Sequence, residues 1–175
     1  MLQLREKQLP DDVILSRARA LRELTRETSC LLIINDRPDI ALLSEADGVH
    51  LGQDDLPPEE VRQLVGEDMI IGLSTHNVEQ ARQAAGRGAD YAAIGPAFAT
   101  STKGYEEGGG PEFVQEVAAA TELPTVAIGG ITLEKAPMVA PTGITALAAC
   151  QALCNREDPR QAAREFLDLM TDRGD

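Results

Sequence analysis

The sequence predicts an α/β fold, parallel strands alternating with helices, of the (β/α)8-barrel kind. Three observations predict it. Short, continuously apolar runs recur roughly every 20–30 residues, as β/α units do. Helical stretches with capping residues or prolines at their starts lie between them, and polar residues collect where the apolar runs stop. A continuous apolar run marks a strand buried on both faces, and strands alternating with helices pair in parallel. The spacing suits a closed barrel or an open doubly wound sheet. A barrel is the expectation because nearly every strand end is polar, whereas an open sheet gathers its site at one switch point.

The elements follow in order. Alternation over Leu2–Lys7 places Leu2 and Leu4 on one face and Gln3, Arg5 and Lys7 on the other. Asp11 is expected to cap a helix reaching Thr28, with Val13, Ile14, Ala18, Leu21 and Leu24 inward. The strand Leu31–Ile34 stops at Asn35-Asp36, and a short helix covers Pro38–Ser44. The strand Gly48–Leu51 leads into Gly52-Gln53-Asp54-Asp55, and Leu56-Pro57-Pro58 opens a helix with proline in its first turn. The strand Met69–Leu73 ends at Ser74-Thr75-His76, and Asn77 caps a helix to Gly86. Tyr91–Gly95 is a strand followed by a long loop, and Pro111 opens a helix to Thr121. Thr125–Ile128 is a strand running into Gly129-Gly130, with a helix over Leu133–Val139. Thr145–Ala149 is the last strand, a short helix follows near Gln151, and the final helix spans Pro159–Met170 with Ala162, Phe166, Leu169 and Met170 inward. Seven strands and seven or eight helices result, in one domain over residues 1–175.

Composition narrows the function. With 43% hydrophobic residues, no Trp and 3% aromatics, the core must be aliphatic. A net charge of −13 excludes nucleic acid as a non-specific partner, although a few local cations can still hold an anionic ligand. Cys30, Cys150 and Cys154 are an odd number without a Cys-x-x-Cys pair, read as reduced thiols of a cytoplasmic protein. No apolar run approaches the ~18 residues of a membrane span, so no membrane is expected. His50 and His76 lack the spacing of a paired metal site.

One stretch concentrates the polar groups. Ile94–Gly110 reads IGPAFATSTKGYEEGGG: a strand end, then Thr100, Ser101, Thr102 and Lys103, then three glycines. Hydroxyls, an ammonium and exposed amides are the donors that hold a phosphate. Gly129-Gly130 can bring backbone N–H groups close to another, or simply make a tight turn. Asp36 and Asp55, just past two successive strands, could bind Mg2+, which takes one or two carboxylates plus water and phosphate oxygens, or could cap the helices that follow. With the cations Arg5, Lys7 and Lys103, the set reads as a site for a diphosphate with Mg2+ and a second phosphate.

Six segments carry a resemblance: QLREK (Gln3–Lys7), INDRPDIAL (Ile34–Leu42), ADGVHLGQDDLP (Ala46–Pro57), IGLSTHNVEQA (Ile71–Ala81), GADYAAIGPAFATSTK (Gly88–Lys103) and VAIGGIT (Val126–Thr132). In these segments and their order, the chain resembles the thiamine-phosphate synthase and thiazole tautomerase family. The resemblance implies a TIM (β/α)8 barrel and a transferase of thiamine biosynthesis. Such an enzyme couples hydroxymethylpyrimidine diphosphate to thiazole phosphate, giving thiamine phosphate and pyrophosphate. It implies that Gln3, Arg5, Lys7, Asn35 and Lys103 hold the diphosphate and that Asp36 and Asp55 hold Mg2+ on it. Ser74 would face the aminopyrimidine, Thr100 and Thr102 would line the site, and the Gly130 backbone would bind the thiazole phosphate. Lys103, Ser74 and Arg5 are the residues expected to act on the reacting groups.

The chain departs from the family in three places. The family carries one more β/α unit before the QLREK segment, so the expectation is a barrel lacking its first unit, with seven strands, an open edge and self-association through it. A Val-Ser pair that helps bind the thiazole phosphate is replaced by Cys150-Gln151. Two acids, Glu106 and Glu107, stand in the phosphate-side loop. Two rivals remain open. A thiazole tautomerase would carry a histidine where Pro96 stands, and a catalytically inactive truncated paralogue would tolerate the departures. The Arg5, Lys7, Asp36 and Asp55 set favours the synthase.

Overall fold

A computed structural model describes residues 1–100, 104 and 106–171, and among these seven strands and eight α-helices follow one another. Within each of its two units the strands stand in chain order. By contacts the chain divides into two compact units, Met1–Ser74 with Gly86–Asp90, and Thr75–Ala85 with Tyr91–Asp175.

In the first unit β1 (Leu2–Leu4), β2 (Leu32–Asn35), β3 (Gly48–Leu51) and β4 (Ile70–Thr75) pair in parallel, with Asn35 opposite His50 and His50 opposite Gly72. Every residue of β2 and β3 is buried, the polar Asn35 and His50 included. Around them lie α1 (Asp11–Arg26), α2 (Pro38–Leu43) and α3 (Pro58–Val65), which bury Ile14, Ala18, Ile40, Ala41 and Val61. Two expectations for α1 are corrected. Leu24 is 65% exposed, because the buried stripe passes through Ile14, Ala18 and Thr25 instead. Asp11 does not cap the helix: Pro10 is the N-cap, its carbonyl accepts from Val13 and Ile14, and Asp11 pairs with Arg37.

In the second unit β5 (Tyr91–Ile94), β6 (Thr125–Ile128) and β7 (Ala146–Ala148) pair in parallel. Its helices are α4 (Val78–Ala84), α5 (Gly110–Ala118), α6 (Ala136–Val139), α7 (Gln151–Cys154) and α8 (Pro159–Thr171). Asn77 caps α4 as expected, accepting from the Gln80 amide at 2.9 Å. The core is aliphatic: Ile94, Val114, Val117, Ile131, Val139 and Ile144, with Phe166 from α8.

One device recurs at the amino ends of strands. Asp47, just before β3, accepts from the Leu32 amide at 2.7 Å and from Arg22 at 2.6 Å. Asp90, just before β5, accepts from the Ile71 amide at 2.7 Å and from Arg62 at 2.6 Å. Thr145, just before β7, accepts from the Thr125 amide at 3.0 Å. Each satisfies an amide at the start of the preceding strand that no ladder partner reaches, and so pins register at the end away from the candidate site. Among the described residues no helix is long and apolar enough to cross a membrane.

Candidate functional site

The first unit gathers polar groups at the carboxyl ends of β2, β3 and β4. The ladder between β2 and β3 runs one residue past β2, where the Asp36 amide donates to the His50 carbonyl at 2.8 Å. Asp36 then turns with φ of 62°, a left-handed conformation that aspartate tolerates better than most residues. The turn brings its carboxylate to the Lys7 ammonium at 2.8 Å, with the Asp36 side chain 18% exposed and that of Lys7 54% exposed.

Past β3, the Asp55 carboxylate folds back to accept from the Gly52 amide at 2.7 Å. Partial burial, and then the neighbouring Asp36 carboxylate, push the Asp55 carboxyl above its ordinary value of 3.8. Neither aspartate is a helix cap: Arg37 precedes α2 and Pro57 precedes α3, neither with a side-chain cap bond. The two acids thus stand beside one another, with the Lys7 ammonium paired to Asp36. Arg37, next along the chain, is taken up by Asp39 and Asp11 at 2.6 and 2.7 Å, which lower both carboxyls and hold the guanidinium proton more tightly.

Ser74 completes this group. It is buried in β4, its hydroxyl 2.9 Å from His50 Nε2. Gln53 Nε2 donates to the Ser74 carbonyl, and Gln53 Oε1 accepts from Arg87 at 3.3 Å. Asn35 is buried beside His50, while Gln3 and Arg5 are exposed. Of the residues singled out from sequence, the structure therefore joins Lys7, Asp36 and Asp55 directly and places Asn35 at the end of β2 and Ser74 in β4. His50, Gln53 and Arg87 were missed as contributors. A histidine set between the apolar Val49 and Leu51 was the available signal for the first.

In the second unit the Gly129-Gly130 turn is held by main chain. The Ala97 amide donates to the Ile128 carbonyl at 2.8 Å, and the Phe98 amide to that of Gly129 at 2.9 Å. Gly130 has φ of 61°, and a Cβ there would overlap the Ala99 carbonyl oxygen and crowd Phe98. Only glycine fits both conditions. Lys135 lies over the Phe98 ring, 4.9 Å from its centre. Thr100 is half-buried, and Cys150 and Gln151 are exposed where α7 begins. Thr102 and Lys103 lie outside the described residues. None of the three cysteines forms a disulfide.

The family model for thiamine monophosphate synthase matches residues 1–153. The chain belongs to this family. It is 44% identical over 171 residues to the thiamine-phosphate synthase of Synechococcus sp. (strain WH7803), covering 98% of this chain and 48% of the relative. It is 45% identical over 172 residues to that of Chlorobium luteolum, covering 97% of this chain and 81% of the relative. The chain thus spans about half the length of the Synechococcus relatives it matches. Among solved structures, thiamine phosphate pyrophosphorylase from Pyrococcus furiosus superposes with a TM-score of 0.89 at 35% identity, covering 97% of this chain and 81% of that one. A 3-hexulose-6-phosphate synthase superposes at 0.74 with 16% identity, a likeness of fold alone. The TIM-barrel class expected from the strand–helix alternation is the class of this thiamine monophosphate synthase family member.

Proposed function

We propose that the chain carries thiamine-phosphate synthase activity, joining hydroxymethylpyrimidine diphosphate to thiazole phosphate with release of pyrophosphate. Family membership supports the reaction class. The observation that carries the reading is the Lys7–Asp36 pair at 2.8 Å with Asp55 beside it, at the ends of neighbouring strands. Two carboxylates pressed together raise each other's demand for a cation, and Lys7 answers part of it.

Asp36 and Asp55 fit a divalent ion of the Mg2+ kind, whose remaining positions water and diphosphate oxygens fill. Bound there, Mg2+ would neutralise the charge that grows on pyrophosphate as it leaves. The chain's own groups would do the rest. Arg5 and Lys7, with Gln3, Asn35 and Lys103, bind and orient the diphosphate. The buried Ser74 hydroxyl orients the aminopyrimidine. Gly130 offers its amide to the thiazole phosphate, with Cys150-Gln151 at the position of the family's Val-Ser pair.

The mechanism is dissociative: the carbon–oxygen bond to pyrophosphate breaks first, and the thiazole nitrogen supplies its lone pair to the pyrimidinylmethyl cation. Such a step needs charge stabilisation and no activated nucleophile, and that is the kind of group gathered here. The protein is assigned to the cytoplasm, consistent with three cysteines outside any disulfide. Incubation with both substrates and Mg2+ should release pyrophosphate in step with thiamine phosphate. Absence of pyrophosphate with both substrates present overturns the reading.

A further inference from the structure

Ser74 is gripped from two sides by residues to which the proposed reaction gives no part. His50 is 5% exposed and Ser74 6%. Their Nε2 and Oγ atoms stand 2.9 Å apart on adjacent strands, and the residue facing His50 in β4 is Gly72, which carries no side chain. A buried hydroxyl beside a single imidazole nitrogen loses its freedom to rotate. If Nε2 carries a proton, the hydroxyl accepts from it and aims its own proton outward. If Nε2 is bare, the hydroxyl donates to it and turns a lone pair outward. With Nε2 bare, the donor is spent and a ligand meets only lone pairs; with Nε2 protonated, the hydroxyl keeps its donor, turned outward, and one lone pair.

The second grip is on the main chain. Gln53 Nε2 donates to the Ser74 carbonyl at 2.5 Å. The same amide is fixed at its other end, where Arg87 Nη1 donates to Oε1 at 3.3 Å. Arg87 is steadied in turn by Glu59 at 3.6 Å, an acid with half its side chain in solvent. A chain of contacts thus runs from the surface through Arg87 and Gln53 to the residue that carries the hydroxyl.

We propose that His50 and Gln53 are positioning residues clamping Ser74 at its hydroxyl and its carbonyl, that Arg87 holds Gln53 from outside the site, and that a pyrimidine therefore meets a hydroxyl of fixed direction. The inference rests on the synthase reading for its ligand and on the geometry alone for the clamp. A hydroxyl of fixed direction rejects a ring lacking a matching group there, because its buried polar atom is then left unpaired.

The test is pyrophosphate release at saturating thiazole phosphate for Gln53→Met, Arg87→Met, Ser74→Ala and the double variants of each with Ser74→Ala. Gln53→Met should raise KM for the pyrimidine diphosphate on the order of tenfold, the loss expected for a misdirected hydrogen bond. Arg87→Met should raise it by less, and KM for thiazole phosphate should stay unchanged in both. In the Ser74→Ala background either substitution should lose most of its effect, since the hydroxyl they position is gone. Gln53→Glu keeps the contact to Arg87 but offers the Ser74 carbonyl no donor, and should behave as Gln53→Met. Independent multiplication of the effects, or an equal rise in both KM values, overturns the proposal. The imidazole nitrogen resonances of His50 provide a readout without turnover. Nε2 should shift in Ser74→Ala and, less, in Gln53→Met; indifference to Gln53→Met overturns the clamp. A protein that releases no pyrophosphate but shows these shifts refutes the synthase reading and leaves the clamp standing.

Discussion

The carboxyl ends of β2 to β4 and the turn after β6 are built by different means. In the first unit the candidate groups are side chains that hold one another: Lys7 on Asp36, Asp36 against Asp55, His50 on Ser74. In the second unit the turn at Gly129-Gly130 is zipped by main-chain hydrogen bonds to Ala97 and Phe98 and offers backbone in place of charge. A side-chain site stores electrostatic conflict, which a ligand can relieve. A main-chain site stores conformational restriction, which only the right residue can adopt. The two should therefore fail differently when mutated.

The largest effect belongs to the acids. Asp55→Asn should cut turnover about 100-fold or more if, as proposed, Asp55 holds the ion that meets the leaving charge. The same change should stabilise the fold at neutral pH. Asp55 is raised by burial first and by Asp36 second, so the folded state resists its ionisation. Below the ordinary value of 3.8 the carboxyl is protonated whether folded or not, and nothing is lost. As pH rises through the raised folded value, the wild type gives up stability that the neutral amide keeps. Thermal melts from pH 3 upward should show the variant gaining on the wild type. A variant that loses ground as pH rises would mean that Lys7 dominates the environment of Asp55.

Next in size is Lys103→Ala. If its ammonium meets charge that grows as pyrophosphate leaves, kcat should fall more than KM rises, by a cost on the order of 3 kcal/mol. A raised KM with unaltered kcat would make Lys103 a binding group only.

The glycine turn should fail structurally. Gly130→Ala forces a Cβ into the Ala99 carbonyl at a positive φ, and should cost ~1–3 kcal/mol of stability while raising KM for thiazole phosphate. Gly143→Ala is the matched control: its φ is 84°, with nothing within 4 Å of an added Cβ. It should cost only about 1 kcal/mol and leave both KM values alone. Equal losses from the two would place the whole penalty in the dihedral angle and none in the contact with Ala99.

Much of this contrast was legible in the sequence because side-chain chemistry is. Unbroken runs such as Leu32–Ile34 announced buried parallel strands, and an acid just after each of two strands announced the Asp36–Asp55 pair. Pairings that depend on tertiary placement were not legible. Asp11 has the chemistry of a cap, but a guanidinium 26 residues away won it, because an ion pair with a charge beside it outweighs one exposed amide. The strand at Met69–Leu73 extends to Thr75, because its last residues bond into neighbouring strands that no local pattern reveals. The register-pinning acids Asp47 and Asp90 look like ordinary loop residues until the Leu32 and Ile71 amides are seen to need them.

The smallest effect should come from Cys150 and Gln151, and it bears on whether the second unit binds by backbone alone. Both residues are exposed at the start of α7, so replacing them disturbs no core and should leave the melting temperature unchanged. The double variant Cys150→Val, Gln151→Ser would install the pair that the family resemblance leads one to expect there. A serine hydroxyl adds one hydrogen bond to a phosphate, worth about 1 kcal/mol net at an exposed position, or roughly fivefold in KM. KM for thiazole phosphate should fall by that factor, while KM for the pyrimidine diphosphate, in whose binding α7 is given no part, should not move. If the thiazole phosphate KM does not change, the Gly130 amide carries the phosphate without help from α7. Adding Gly130→Ala to the double variant then decides the matter: a backbone site loses its ligand at that step, whereas a site with an α7 contribution keeps part of its affinity.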